Sequence, residues 1–224
     1  IGSIAYVTKG PLVAPSYREL AWLAIKNLLQ IARERNFLML AIQPPNSAHY
    51  MTQLMEEEGF RPSTLELAPI ATILVDCSLS EKDLLFQFNR KTRQSIYQSR
   101  RTALKIREGA ADDLSVFYQL HLSTSRRQKF LPYPKSYFET MQNAFSPHGN
   151  FKILVAECEG QPVSANLIIP FRDTVIAKVM GWSGEYRETR SNEALHWEII
   201  RWAKSHGYRY VDLEGVDAEA AKKF

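Results

Sequence analysis

The chain has little cysteine: two residues, Cys77 and Cys158, among 224. That is too few for a disulfide framework, and their separation fits no metal-ligand spacing. They read as small buried residues in a reducing compartment. Long hydrophobic runs are also missing. Phe37 to Ile42 is typical, far short of the ~18 residues that cross a bilayer. The five histidines (His49, His121, His148, His196 and His206) make no His-x-x-x-His or Cys/His pattern, and no Gly-x-Ser-x-Gly elbow occurs. Hydrolysis by a zinc centre or by an elbow serine therefore has no support, and no metal is expected.

What is present is ordinary globular usage. Hydrophobic residues make up 45% and charged residues 23%, which excludes a disordered or collagen-like chain. The length allows one or two domains. The net charge of +4 bears on solubility and anionic partners rather than on fold. The chain opens at Ile1 without a methionine and closes on Lys222-Lys223-Phe224, so it reads as a fragment.

Periodicity predicts an alternation of strands and helices. Ser3–Thr8 is a strand. A helix follows, opened by a Ser16/Glu19 capping box and burying Leu20, Leu23, Ala24, Leu28, Ile31 and Ala32. Phe37–Ile42 is a strand, 47–58 a helix stopped by Gly59, and Ala71–Cys77 a strand. A long basic helix is expected from Glu81 to about Thr102, then helices over 112–126 and 134–145. Strands at Phe151–Cys158, Val163–Ile169 and Thr174–Trp182 come next. A helix from Ser191 to His206 ends at Gly207, and Tyr208–Leu213 is the last strand.

An internal repeat organises this order. Ile4-Ala5-Tyr6-Val7 aligns with Ile176-Ala177-Lys178-Val179, Leu28 to Arg33 with Ile199 to Lys204, and Asn36-Phe37 with Gly207-Tyr208, at a nearly constant offset. Each copy reads as strand, loop, helix, strand. That unit resembles the core of the GNAT acyltransferase fold, in which the loop offers backbone N–H groups at a helix N-terminus, a place that attracts phosphate. The expected fold is therefore α/β (α+β): two tandem GNAT-like domains with mixed sheets. The first covers 1–75 and is truncated at its N-terminus; the second covers 76–224 and is truncated at its C-terminus. The boundary falls near Pro69 to Cys77.

The acyl-CoA loop of GNAT enzymes is rich in glycine. Here Gly184 to Ala194 holds three glutamates and no glycine after Gly184, and Gly10 to Pro15 in the first copy is an equally poor cradle. The fold is thus expected without acyl-CoA as donor, and no cofactor is predicted. The basic helix points elsewhere. From Leu84 to Arg107 there is no acidic residue and there are seven cations. Helical spacing puts Arg90, Arg93, Tyr97 and Arg101 on one face and Leu85, Phe88, Thr92, Ile96 and Ser99 on the other. A cationic stripe holding an aromatic suits a phosphate backbone; a solvated surface has the same pattern. Arg126 and Arg127 form a second cluster, which fits either a ligand or the negative end of a helix. Asp212 and Glu214, at the end of the last strand, could hold an amine or act as acid and base, or pair with a neighbouring arginine.

The order YVTKGP, FLMLAIQP, the EEEGF turn, TILVDCS, FNRKTRQSIYQSRR, LSTSRRQKF with YPKSYF, FKILVAECEGQPVSANLII, MGWS and YVDLEG resembles the FemABX aminoacyltransferase family. The resemblance implies two GNAT-like domains and transfer of an amino acid from aminoacyl-tRNA to an amine on the stem peptide of a nucleotide- or lipid-linked peptidoglycan precursor, without metal or CoA. It implies a soluble cytoplasmic enzyme acting at the inner face of the membrane. By motif, Gln43, Tyr133, Tyr137 and Met180 fall on substrate-cleft positions. The family's Phe-Lys pair lies beyond the DLEG strand, where this chain has Lys222-Lys223-Phe224. Two rival readings stay open: an acyl-CoA-dependent N-acyltransferase, and an RNA- or membrane-surface-binding domain without catalysis.

Overall fold

A computed structural model describes residues 2–45, 47–64, 68–69, 71–110 and 112–216. The described residues divide into two units, one running to Ala71 with Gly215 and Val216, the other Thr72–Glu214. Lys222-Lys223-Phe224 lies outside the described residues.

The first unit is built on a parallel pair, β1 (Ile4–Thr8) and β2 (Met39–Gln43), joined through helix α1 (Arg18–Glu34) and followed by α2 (His49–Glu57). Ile4 faces Met39 and Thr8 faces Gln43 across the pair. The core is Ala21, Ile25, Ala48, Met51 and Leu54. Two expectations fail here. Helix α1 starts at Arg18 with Tyr17 as N-cap and no side-chain cap, because Ser16 lies one residue too early for its hydroxyl to meet the free N–H groups. Its buried residues are Ala21, Ile25 and Ala32, while Leu20, Leu23 and Ile31 are exposed. Apolar residues surround this helix, so periodicity alone left the inward face open.

The second unit holds β3 (Ala71–Asp76), α3 (Glu81–Gln87), α4 (Arg90–Ser99), β4 (Leu104–Glu108), α5 (Asp113–Gln128), α6 (Lys135–Phe145), β5 (Lys152–Cys158), β6 (Gln161–Phe171), β7 (Thr174–Trp182), α7 (Ser191–Ser205) and β8 (Tyr210–Val216). Its sheet has the order β3-β8-β7-β6-β5-β4. Strands β4 to β7 are antiparallel neighbours, and β7 pairs with β8 in parallel. Layers cover both faces. Leu154, Ala156 and Ile168 share a core with Leu84, Ile96, Leu195 and Ile199. Ile153, Val155, Ala165, Leu167 and Ile169 share the other with Leu114, Phe117, Leu120 and Phe138. Alternation along each strand makes this possible. It also explains why β6 is buried without a break from Val163 to Pro170, as a strand covered on both faces must be.

The single basic helix expected from Glu81 is two. Ser80 caps α3 by accepting from the Asp83 N–H. Phe88 is extended, and Asn89 caps α4 through Oδ1 accepting from Thr92 N at 2.9 Å. The two caps divide a stretch whose periodicity alone looks continuous. Beyond Ser99 the chain turns into β4, which sequence reading missed because Leu104-Lys105-Ile106-Arg107 alternates for only four residues. Arg107 is no ligand-facing cation. It donates to both oxygens of Asp113, at 2.7 and 2.9 Å, and to Glu157 at 2.9 Å. Asp113 is only 7% exposed and also accepts from Ala110 N at 2.7 Å. The guanidinium holds its carboxyl below the usual carboxylate range, against the opposing pull of burial.

The aligned repeat segments share a helix terminus. After α1, Phe37 N donates to Ala32 O at 3.0 Å and Asn36 is left-handed; after α7, Tyr208 N donates to Ala203 O at 2.9 Å and Gly207 is left-handed. Both close the helix in the same Schellman arrangement.

Two outcomes follow. No atom lies within 4 Å of a Cβ placed on Gly207, so Gly207→Ala should cost about 1 kcal/mol from backbone conformation alone, and Gly207→Asn distinctly less, as Asn36 shows; denaturant melts measure both. The lowered Asp113 carboxyl contributes stability that is present above its unfolded pKa of about 3.9 and is lost as pH falls through the folded value. Asp113→Asn should destabilise the protein at neutral pH and flatten the acid limb of its stability profile.

Candidate active site

The site forms where β7 leaves β8. Paired register covers only Thr174, Val175 and Ile176 against Tyr210, Val211 and Asp212, whereas β7 continues to Trp182. Ala177–Trp182 thus has no partner on β8. The register of β6 against β7 shifts at the same place: Leu167 faces Val179 and Ile168 faces Ala177. Lys178 is the extra residue of this bulge, and bulges redirect a side chain. Lys178 Nζ donates to Glu214 Oε1 at 2.7 Å. Glu214 is left-handed at φ 59°, and its N–H donates to Asp212 Oδ1 at 2.7 Å. Thr72 Oγ1 touches the same Asp212 oxygen and lies 2.7 Å from the Glu214 carbonyl O. Asp212 is therefore committed to shaping the strand end, while Glu214 presents a carboxylate held by an ammonium. Lys178 was read from sequence only as part of the repeat. Its signal was weak: a cation in an otherwise apolar strand.

The free end of β7 is held by α5 instead of β8. Trp182 N donates to Thr124 Oγ1 at 2.8 Å. Arg127 donates to the Trp182 carbonyl at 2.9 Å and stacks over the indole at 4.4 Å. Helix and strand come so close that a Cβ on Gly181 would lie 2.6 Å from His121 N. Arg127, one of the two arginines of the second cationic cluster, is thus structural, whereas Arg126 is exposed.

Beyond Trp182 the chain turns through left-handed Gly184, Tyr186 and Arg190 into α7. A cavity of about 360 Å³ lies at this helix start, lined by Trp182, Arg187, Arg190, Ser191, Asn192 and Glu193. The expected acidic barrier is only partly there. Of the three glutamates in the loop and first turn, Glu193 alone lines the cavity, and two arginines line it too.

The remaining site candidates are dispersed. Tyr133 and Tyr137 stack at 4.4 Å beside α6, whereas Met180 packs against the α7-side core. Gln43 belongs to the first unit. Its Nε2 donates to Ala68 O at 2.9 Å, and it lines a groove of about 550 Å³ between β2, α2 and the segment Gly59–Ser63. Within the basic stretch, Arg93 donates to the Phe88 carbonyl at the end of α3, a bond that stabilises a helix C-terminus. Arg90, Lys91 and Arg101 are exposed, and Tyr97 lies beneath Arg100 at 5.5 Å. Arg101 follows α4 rather than sharing its face. Arg90 and Lys91 open α4 with no acid in its first turn, which is unfavourable against the helix dipole unless an anion arrives.

Among the described residues no cluster of His, Cys, Asp and Glu could hold a metal ion. No helix there is long and apolar enough to cross a membrane.

A mixed sheet that splays beside a helix N-terminus defines a class. Residues 90–223 match the family model described as acetyltransferase (GNAT) domain, and the chain belongs to that family. The chain is 20% identical over 171 residues to a lipid II:glycine glycyltransferase of Staphylococcus epidermidis, covering 72% of this chain and 41% of that protein. It is 19% identical over 231 residues to the protein so named from Staphylococcus aureus, covering 99% and 54%. The chain spans about half the length of the curated relatives it matches. The crystal structure of FemX superposes with a TM-score of 0.75 at 16% identity, over 96% of this chain and 72% of that one, a likeness of fold.

Proposed function

We propose that the chain is part of an aminoacyltransferase that moves an amino acid from aminoacyl-tRNA to an amine of a peptidoglycan precursor stem peptide, at the inner face of the cell membrane. The observation that carries this reading is the Lys178–Glu214 pair at the parting of β7 and β8, in a family whose relatives here include lipid II:glycine glycyltransferases. In the reaction an amine attacks the ester carbonyl of the donor. A C–N bond forms, the C–O bond to the tRNA ribose breaks, and the ribose hydroxyl leaves. An amine attacks only when neutral, and a carboxylate can take its proton and pass it to the departing ribose oxygen. Glu214, held in place by its 2.7 Å contact with Lys178 Nζ, is the carboxylate placed for that role. Holding amine and ester together contributes much of the rate. The exposed cations Arg90, Lys91 and Arg101 suit the donor's phosphates. The stacked Tyr133 and Tyr137, with Gln43 and Met180, remain the proposed acceptor contacts.

A second reading has an observation of its own. Arg187 and Arg190 line the cavity at the start of α7, and a cationic helix N-terminus attracts phosphates, including those of acyl-CoA.

The test is transfer of labelled amino acid from tRNA to lipid-linked precursor by the full-length protein. Glu214→Gln should lower kcat by about 100-fold or more and shift stability little, because the ion-pair side chains are 33% and 35% exposed and solvent-accessible pairs contribute ~1 kcal/mol or less. Equal activity in this variant removes Glu214 from the mechanism. Arg90→Glu with Arg101→Glu should weaken tRNA binding and reduce the slope of log affinity against log salt by about one for each phosphate no longer neutralised. Saturable micromolar binding of CoA by calorimetry, with no transfer from tRNA, would favour the second reading.

A further inference from the structure

The connection between α5 and α6 carries, beside the proposed acceptor contact Tyr133, residues that neither the transfer chemistry nor the donor uses. Helix α5 ends on left-handed Lys129, and Phe130 N donates back to Ser125 O at 3.2 Å. The Phe130 ring rests 5.6 Å from His121, itself 4% exposed and packed on Phe117 and Phe138. This anchored ring fixes the base of the loop. Leu131 then projects with 94% of its surface in water. Pro132 and Pro134 stiffen the backbone on its far side, so Leu131 is presented rather than loosely mobile. Tyr133, 56% exposed, flanks it. From Leu114 to Phe138 the chain carries Arg126, Arg127, Lys129 and Lys135 and no acidic residue; the nearest following acid, Glu139, lies 3.5 Å from Lys135.

A fully exposed leucine flanked by half-exposed aromatics, in a segment whose charges are all positive up to Phe138, is complementary to one environment in particular. The apolar tip suits the boundary of the acyl chains, tyrosine suits the headgroup level, and lysines suit anionic phosphates. An RNA backbone satisfies the cations but offers nothing to Leu131. We propose that the Lys129–Lys135 loop is an interfacial anchor that dips Leu131 into an anionic lipid surface. This deepens the reading above and rests on it for its purpose: a lipid-linked acceptor is held at such a surface.

The experiment is flotation of the full-length protein with vesicles of phosphatidylcholine alone and with about one-third phosphatidylglycerol. Binding is expected to the anionic vesicles and to fall with salt. Leu131→Asp should reduce partitioning about tenfold, and Leu131→Ser by less. Lys129→Glu with Lys135→Glu should reduce it by about fivefold per charge removed and flatten the salt dependence. Circular dichroism should be unchanged throughout. Wild-type partitioning in Leu131→Asp, or no binding of the parent protein to anionic vesicles, overturns the proposal. So does a result in which the lysine variant loses RNA but not vesicles, or in which Leu131→Asp splits a dimer on gel filtration. Flotation needs no substrate, so the two readings fail separately. Vesicle binding without transfer sinks only the function. Transfer to a soluble nucleotide-linked precursor without vesicle binding sinks only the anchor.

Discussion

The parting of β7 from β8 is the constraint on which the second unit turns. Two parallel strands share only three paired positions, and on that side the last two-thirds of β7 must find its hydrogen bonds elsewhere. Backbone groups near a sheet cannot be left unpaired without cost. Helix α5 meets that need at Trp182 through Thr124 and Arg127, and Gly181 lets the helix backbone approach close enough to do so. The bulge at Lys178 is part of the same adjustment. It turns a cation out of an apolar strand toward Glu214, whose left-handed backbone presents its carboxylate to it. A break in a ladder has become a place where opposite charges from separate strands meet.

The structure also sorts the cations, which the net charge cannot. Arg93 closes a helix, Arg107 is shared between Asp113 and Glu157, and Arg127 holds Trp182. Charges engaged in this way define shape. Arg90, Lys91, Arg101 and Arg126 stand in water, as does Lys129 next to Leu131. The proposed donor and the proposed lipid surface would thus draw on different cations, and their salt dependences would be separable.

The aminoacyl-transfer and acyl-CoA readings differ in what they ask of one helix start. A thioester donor places pyrophosphate against bare backbone, which favours glycine. Here Tyr186 and Arg190 take left-handed conformations with full side chains, each at a cost of about 1–2 kcal/mol. A backbone that tolerates this without glycine is shaped by its side chains, and two arginines line the cavity. That arrangement suits a polyanion gripped by side chains more than one laid on the main chain.

Most strands, and helices α5 to α7, were legible because alternation and helical period survive in a single chain. The likeness of the two strand–helix–strand copies was legible for the same reason, down to Asn36 and Gly207 at one kind of helix end. Helix α1 was misread because apolar residues surround it and only its packing against α2 selects Ala21 and Ile25. The division of α3 from α4 turned on caps at Ser80 and Asn89, short-range hydrogen bonds that periodicity does not register. The Lys178–Glu214 pair was beyond reach, since its partners lie in separate strands and meet only through a bulge and a left-handed residue. The amino-acid order determined the elements and the family, because local propensity and hydrophobic period act between near neighbours. The three-dimensional arrangement alone decided which charges face a substrate, because that depends on which distant groups have already neutralised the others.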